Sequence, residues 1–307
     1  MKTNRKIILL FSLLIVVCLI WYFFFKTSDY VIQFKEKTSP GTLYSSAEEW
    51  NFLNGKKGDF KYIYTAKEPF DYLHQDLIIN DLKLVVNWDF ISLNDSITQV
   101  TIGFREKKNK VLNRITAPFF KTKFKTTILD LVKNYKAGVD FILKEKFKVH
   151  SISEDTIPKM TYAFVSLKKI KMRDKASLMM QNNGTILSFF KQHDIEKNGF
   201  PFVLVDSWDL LENTIDFKYC FPVRQKDSFP ESLEIKFAET NPRKALKAIY
   251  NGNYINSDRG WFALHEYAKR HEIEIENTPL EIFYNNPFVD SIELDWVAEI
   301  YIPIKVN

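Results

Sequence analysis

Polar and apolar positions change rhythm several times along this chain. Residues 7–25 are 19 consecutive uncharged positions, mostly aliphatic or aromatic, preceded by Lys2, Arg5 and Lys6 and followed by Lys26. At about 1.5 Å rise per residue, a helix of this length nearly crosses a bilayer core of about 30 Å. A cleaved signal peptide is the competing reading, but signal cores are shorter, and this run ends in Trp21, Tyr22 and three Phe instead of small residues. An uncleaved transmembrane anchor is therefore expected within an N-terminal segment of residues 1–28. The basic flank predicts a cytoplasmic N-terminus and a body on the periplasmic or extracellular side.

Beyond the anchor, Tyr30, Ile32 and Phe34 alternate with Val31, Gln33 and Lys35, the period of a strand. Ser39 and Pro40 introduce a helical pattern over 42–52, and strands are predicted over 60–66, 82–93 and 96–104, with Asn94 and Asp95 as a hairpin turn. A weaker strand pattern covers 110–115. Phe124, Ile128, Leu131, Tyr135, Val139 and Ile142 then form one apolar stripe on a long helix over 121–146.

The remaining half carries one pattern twice. Lys191, Gln192, His193, Asp194, Ile195 and Glu196 return 78 positions later as Lys269, Arg270, His271, Glu272, Ile273 and Glu274, and Pro201 returns as Pro279. A strand at 162–167, a helix over 176–193 and strands over 202–205 and 214–223 make the first unit. The second has a strand at 233–237, helical 242–248 and 260–270, and strands over 280–284 and 296–304. Such self-similarity means one supersecondary unit used twice and packed against itself. Where the copies differ, Glu281 stands in place of Val203.

Composition narrows the function classes. Phe, Tyr and Trp make up 15% of 307 residues, which favours deep apolar interiors. Of 43 basic residues, four lie in the first 26 positions, where there is no acid, so the body is nearly neutral against 38 acids. It lacks the broad positive field of a nucleic-acid binder, and no nucleic-acid partner is expected. Cys220 is the only cysteine beyond the anchor, so the body forms no internal disulfide. No metal is expected: His193 and His271 match across the repeat but each ends a helix, where histidine suits the last carbonyls, and the other three show no ligand spacing. No cofactor is expected either, as no glycine-rich nucleotide loop is present, and no nucleophile-elbow sequence accompanies the Ser, His and Asp residues.

Two family resemblances follow. The stretch 30–52, with its Ser39, Pro40, Gly41, Thr42, Leu43, Tyr44 helix entry, together with the closing helix, resembles the START-like helix-grip (SRPBCC) superfamily over residues 29–146. That implies a curved antiparallel sheet around a helix and a hydrophobic ligand between them. Tyr250 to Tyr254 (YNGNY), then Trp261, Tyr267, Pro279 to Pro287 and Ala298 to Ile304 resemble a GyrI-like effector-binding domain, as in AraC-type and MerR-type multidrug-responsive regulators, over residues 149–305. The resemblance implies a pseudo-twofold pair of units with a ligand groove between them. Glu281 falls on the position of the family's buried acidic residue, and Trp261, Tyr254 and Tyr284 fall on its aromatic wall. Strand alternation puts Phe283 on the face of Glu281 and Tyr284 on the other. Glu299, matched by Lys218 in the first copy, reads as a solvent-facing strand position.

The fold class expected is thus α+β: an N-terminal transmembrane helix, a helix-grip antiparallel sheet domain, and a duplicated strand-helix-strand-strand GyrI-like domain. The function expected is a membrane-tethered, multidrug-type binding protein. Its ligands would be small apolar molecules, cationic ones among the candidates, at Glu281, Trp261, Tyr254, Tyr284 and Phe283. A carboxylate among aromatic faces attracts a cation. One alternative is a GyrI-like hydrolase of electrophilic small molecules with Glu281 as general base; another is a lipid or hydrophobic-ligand carrier working through the START-like domain.

Overall fold

The computed structural model describes residues 2–56, 60–79, 81–116 and 119–305. The chain is α+β, with antiparallel sheets. It divides into two compact units, one of Met1–Glu36, Tyr44–Ile91 and Thr98–Ala137, the other of Lys37–Leu43, Ser92–Ile97 and Gly138–Asn307.

The first unit opens with α1 (Lys2–Ile20), which runs into a π-helical turn, Trp21–Phe25. There follow β1 (Tyr30–Glu36), α2 (Pro40–Gly55), β2 (Phe60–Glu68), β3 (Tyr72–Ile79), β4 (Leu82–Asn94), β5 (Ile97–Glu106), α3 (Lys110–Thr116) and α4 (Lys123–Glu145), with the start of α2, the β4–β5 turn and the end of α4 belonging to the second unit. The sheet order is β1-β5-β4-β3-β2. Tyr135 of α4 packs edge-on against Trp88 of β4 at 4.8 Å between ring centroids and also meets Phe34 and Trp50, so the apolar stripe of the long helix does face the sheet. The pattern of strand, helix, meander and closing helix is the one expected.

Three details differ. β3 escaped the sequence reading because its inward positions alternate Leu73, Gln75, Leu77. Gln75 is fully buried, accepting a 2.7 Å hydrogen bond from Asn51, so a polar residue interrupts the apolar rhythm. Residues 110–116 are a helix, not a strand. α3 is inside-out: Asn113 and Arg114 are buried while Val111, Leu112 and Ile115 are at least half exposed. Arg114 pairs with Asp29 at 2.7 Å, both side chains fully buried, and donates to the carbonyls of Tyr22, Phe23 and Lys26, capping the end of the first helical run. Finally, among the described residues no helix is long and apolar enough to cross a membrane, so the fold does not show the span expected over 7–25. Positions 8, 9 and 24 of that span have side chains outside the described residues.

The second unit continues with β6 (Phe147–Ile157), β7 (Thr161–Lys171), α5 (Lys175–Gln192), β8 (Phe202–Asp209), β9 (Thr214–Pro222), β10 (Lys236–Glu239), β11 (Arg243–Gly252), α6 (Asp258–Arg270), β12 (Leu280–Phe283) and β13 (Val297–Pro303). The sheet order β10-β7-β9-β8-β12-β13-β11-β6 reads alike from either end, each copy contributing the three inner strands of one half and the centre falling between β8 and β12. There Glu281 lies directly opposite Val203, its counterpart in the repeat, with Leu280 against Leu204 and Ile282 against Phe202. A residue that pairs with its own equivalent sits on a local twofold, the relation that self-complementary contact demands.

The helix ends obey the same symmetry. Asp194 and Glu272 both take positive φ, 50° and 56°. Behind them Ile195 and Ile273 donate 2.9 Å bonds to the carbonyls of Phe190 and Ala268, closing both helices in the same left-handed cap. His193 and His271 lie tilted against Phe189 and Tyr267, with ring centroids 4.4 and 4.1 Å apart. The repeated hexapeptide therefore encodes a helix stop.

Residues 243–248, within the helix expected over 242–248, belong to β11, which is laddered on both sides by β13 and β6. Ladders on both edges outweigh a local propensity of a few tenths of a kcal/mol per residue. β6, also unanticipated, precedes the first copy yet pairs with the second, and β10, which precedes the second copy, pairs with the first. Gly252 ends β11 at φ +142°, where a Cβ would sit 2.4 Å from the carbonyl oxygen of Lys146. Gly260 lets α6 approach the side chain of Ile300, which a Cβ would meet at 2.1 Å.

These backbone conformations make opposite predictions. Gly252→Ala should lower unfolding free energy by about 1–3 kcal/mol, from strain and close approach together. Glu272→Gly should raise it by roughly 0.5–1 kcal/mol by relieving a non-glycine left-handed residue. Urea titration of both variants checks the signs.

Candidate functional site

β12 is buried at all four positions, and its two faces serve different purposes. Leu280 and Ile282 join Tyr162, Phe164, Phe202 and Tyr301 in an apolar cluster. Glu281 and Phe283 lie on the side covered by the two helices. Glu281 is fully buried, and its oxygens are taken. Lys175, first residue of α5 and itself 1% exposed, places Nζ 2.8 Å from one carboxylate oxygen and 2.9 Å from the other. Ser257, just ahead of α6, lies 2.9 Å from both Lys175 Nζ and Glu281 Oε2. The starts of both helices thus bring polar groups to one carboxylate beside the twofold.

Burial pushes the Glu281 carboxyl above its usual range, while the Lys175 ammonium and the hydrogen bonds from Lys175 and Ser257 pull it back. Asp258, which adds a small upward push, is bonded to Arg259 at 2.8 Å. Trp261, fully buried, presents its ring 4.5 Å from Lys175 Nζ and meets Trp208 edge-on at 5.3 Å. Its indole N–H has no hydrogen-bond partner among the described residues.

Next to this buried cluster a groove of about 600 Å³ opens between the two copies. Met179, Met180 and Leu187 of α5 line it from the first copy, and Tyr254, Phe283 and Trp296 from the second. Tyr254 is fixed by its hydroxyl, which donates to the Val297 carbonyl at 2.8 Å and accepts from the Asn285 N–H at 3.0 Å. Its ring lies 4.7 Å from Phe283 and 5.4 Å from Trp296, and burial pushes its phenol up to about 12. Tyr284 lines the groove beside Phe200, with ring centroids 4.8 Å apart.

Tyr284 is held by Glu299, which sequence reading placed in solvent. Instead, Glu299 accepts 2.8 Å bonds from the hydroxyls of Tyr284 and Tyr301 and pairs with Lys247 at 2.7 Å. Partial burial pushes its carboxyl upward, but Lys247 and the two phenols outweigh this and leave it below the usual range.

The five residues singled out from the sequence therefore fall into two places. Tyr254, Phe283 and Tyr284 line the groove; Glu281 and Trp261 lie outside its lining, in the buried cluster. Sequence reading missed Lys175 and Ser257, since a lysine and a serine at helix starts look like ordinary solvated residues. The methionines and Leu187 of α5 belong to an apolar helix face, and only the packing separates groove from core. Among the described residues no group of three or more His, Cys, Asp or Glu could hold a metal ion.

No protein-family model matches the chain, and no curated protein matches it. Among solved structures it is similar to the C-terminal domain of EcmrR, with 16% identity and a TM-score of 0.43 over 51% of this chain and 98% of that one. It is also similar to SAV2435 bound to tetraphenylphosphonium, at 10% identity and TM-score 0.38 over 51% of this chain and 94% of that one. A hydrolase from Listeria innocua aligns at 10% identity and TM-score 0.34, covering 55% of this chain and 98% of its own.

Removing Lys175 should expose the cost of burying Glu281. Lys175→Met is expected to lose about 3–5 kcal/mol near neutral pH, as breaking a buried pair does, and Lys175→Met with Glu281→Gln should lose less. In the single variant the folded state keeps a proton that the unfolded chain releases above the ordinary carboxylate range. Its stability should therefore fall as pH rises through the window up to the raised value, a slope the double variant lacks. Urea unfolding over a pH series measures both effects.

Proposed function

We propose that this chain is a membrane-tethered protein that binds small apolar molecules in the groove between its duplicated halves, in the manner of a GyrI-like domain. The observation that carries the binding reading is the groove itself. It is largely apolar, lined by side chains of both copies, and large enough for a drug-sized molecule. The methionines on its α5 side adapt to guests of different shape, while the anchored Tyr254 and Glu299-held Tyr284 give it two fixed aromatic faces. A hydrolase reading would need a carboxylate that meets water, and Glu281 is fully buried with both oxygens engaged. A lipid-carrying START-like role for the first unit rests on the order of its elements alone.

The tether has separate support. Every described side chain of α1 from Leu10 to Ile20 is exposed, and almost all are apolar. A helix that is apolar all round and uncovered by its own protein suits a lipid environment. Arg114 fastens α3 to the end of this run, bringing Val111, Leu112 and Ile115 beside it, with lysines nearby in sequence at 107, 108, 121 and 123. Apolar side chains among lysines are the composition of an interfacial segment.

Met180→Glu, which sets a charge in the groove lining, should weaken binding of a neutral apolar dye at least about tenfold without unfolding the protein. Unchanged dye titration would count against the groove. For the tether, the exposed thiol of Cys18 serves as a reporter. In membrane vesicles it should resist an impermeant maleimide until detergent is added; immediate labelling would count against a span.

A further inference from the structure

The groove lies beside a cation site that is already filled. A carboxylate and an aromatic face together make the environment that a positive guest seeks. Here the positive group is Lys175 Nζ, held 2.8 and 2.9 Å from the Glu281 oxygens and 4.5 Å from the Trp261 ring centroid. Val203, paired opposite Glu281, is apolar and fully buried, so the repeat supplies no second carboxylate at the equivalent position. The groove itself offers no replacement: among the described residues that line it, Lys197 is the only charged side chain. A cation entering would give up hydration and meet aromatic faces with no carboxylate among them, and Lys197 as one like charge.

We infer that Lys175 is a built-in counter-ion that occupies the cation position between Glu281 and Trp261, so that the groove takes uncharged apolar molecules and discriminates against cations. The inference rests on the groove being a binding site, and it fixes the charge class of what binds. Lys175 belongs to α5 and Glu281 to β12, so the pair also ties the two copies together. Glu281 and Trp261 lie behind the groove lining, so substituting this one lysine by a neutral residue of similar length should leave a buried carboxylate uncompensated beside the groove and shift the groove's preference towards cations.

The test uses the full chain in lipid nanodiscs, with empty nanodiscs as blanks and the neutral fluorophore N-phenyl-1-naphthylamine as probe. In the wild type, neutral biphenyl should displace the probe at least about tenfold more effectively than the cation tetraphenylphosphonium. Lys175→Met should improve displacement by tetraphenylphosphonium at least about tenfold at mildly alkaline pH, and less at mildly acidic pH, where Glu281 takes up a proton. Probe affinity should stay within about threefold, and adding Glu281→Gln should abolish the gain. A wild type that takes the cation as readily as biphenyl overturns the inference, and this comparison needs no variant to fold. So does a Lys175→Met protein with native near-ultraviolet circular dichroism and no gain. Should the probe fail to bind saturably, or bind undiminished to Met180→Glu, the groove reading fails instead, and the charge class fails with it.

Discussion

A carboxylate buried beside a twofold axis governs this protein's second unit. Leaving an unpaired charge at that depth would cost several kcal/mol, comparable to much of the net stability of a domain. The fold meets the demand by aiming the starts of both helices at it, with Lys175 from one and Ser257 ahead of the other. Because the lysine comes from the first copy and the carboxylate from the second, the two halves are joined through the centre of the sheet by charge as well as by the β8–β12 ladder.

The same interaction breaks the symmetry that the backbone keeps. The sheet order is palindromic, both helix stops have left-handed caps at equivalent residues, and each copy lends an edge strand to the other. Side chains depart from this equivalence where chemistry is concentrated, Glu281 against Val203 and Glu299 against Lys218. Duplication brings side chains of both copies to the groove, and their divergence makes its two sides unlike, methionines of α5 on one and aromatic residues of the second copy on the other. Tyr284 and Tyr254 illustrate the result, each oriented by hydrogen bonds made within the second copy.

The first unit solves a related problem differently. α3 buries its arginine and asparagine and exposes its aliphatic residues, since Arg114 must reach Asp29 and three backbone carbonyls at the end of the long N-terminal helical run. Those carbonyls are left without intrahelical donors when a helix stops, and a guanidinium is well shaped to serve several at once. An element of seven residues is thereby committed to a single cap, and its apolar side is left outward.

Much of the architecture was legible from periodicity. The long stripe of α4, the strand-helix-strand-strand repeat and its fixed offset all follow from spacing, and the aligned copies marked Glu281 as the odd residue out. The family resemblance and strand alternation together singled out Tyr254, Phe283 and Tyr284, and these three side chains line the groove. What the pattern could not reveal were features set by partners distant in sequence. β3 hides behind a buried Gln75, β11 looks helical until ladders form on both its edges, and Glu299 looks solvated until two tyrosines reach it. Lys175 lies 106 positions before the carboxylate that holds it. Local sequence records which side chains carry charge; only tertiary packing decides which charges meet away from water, where their interaction is strongest.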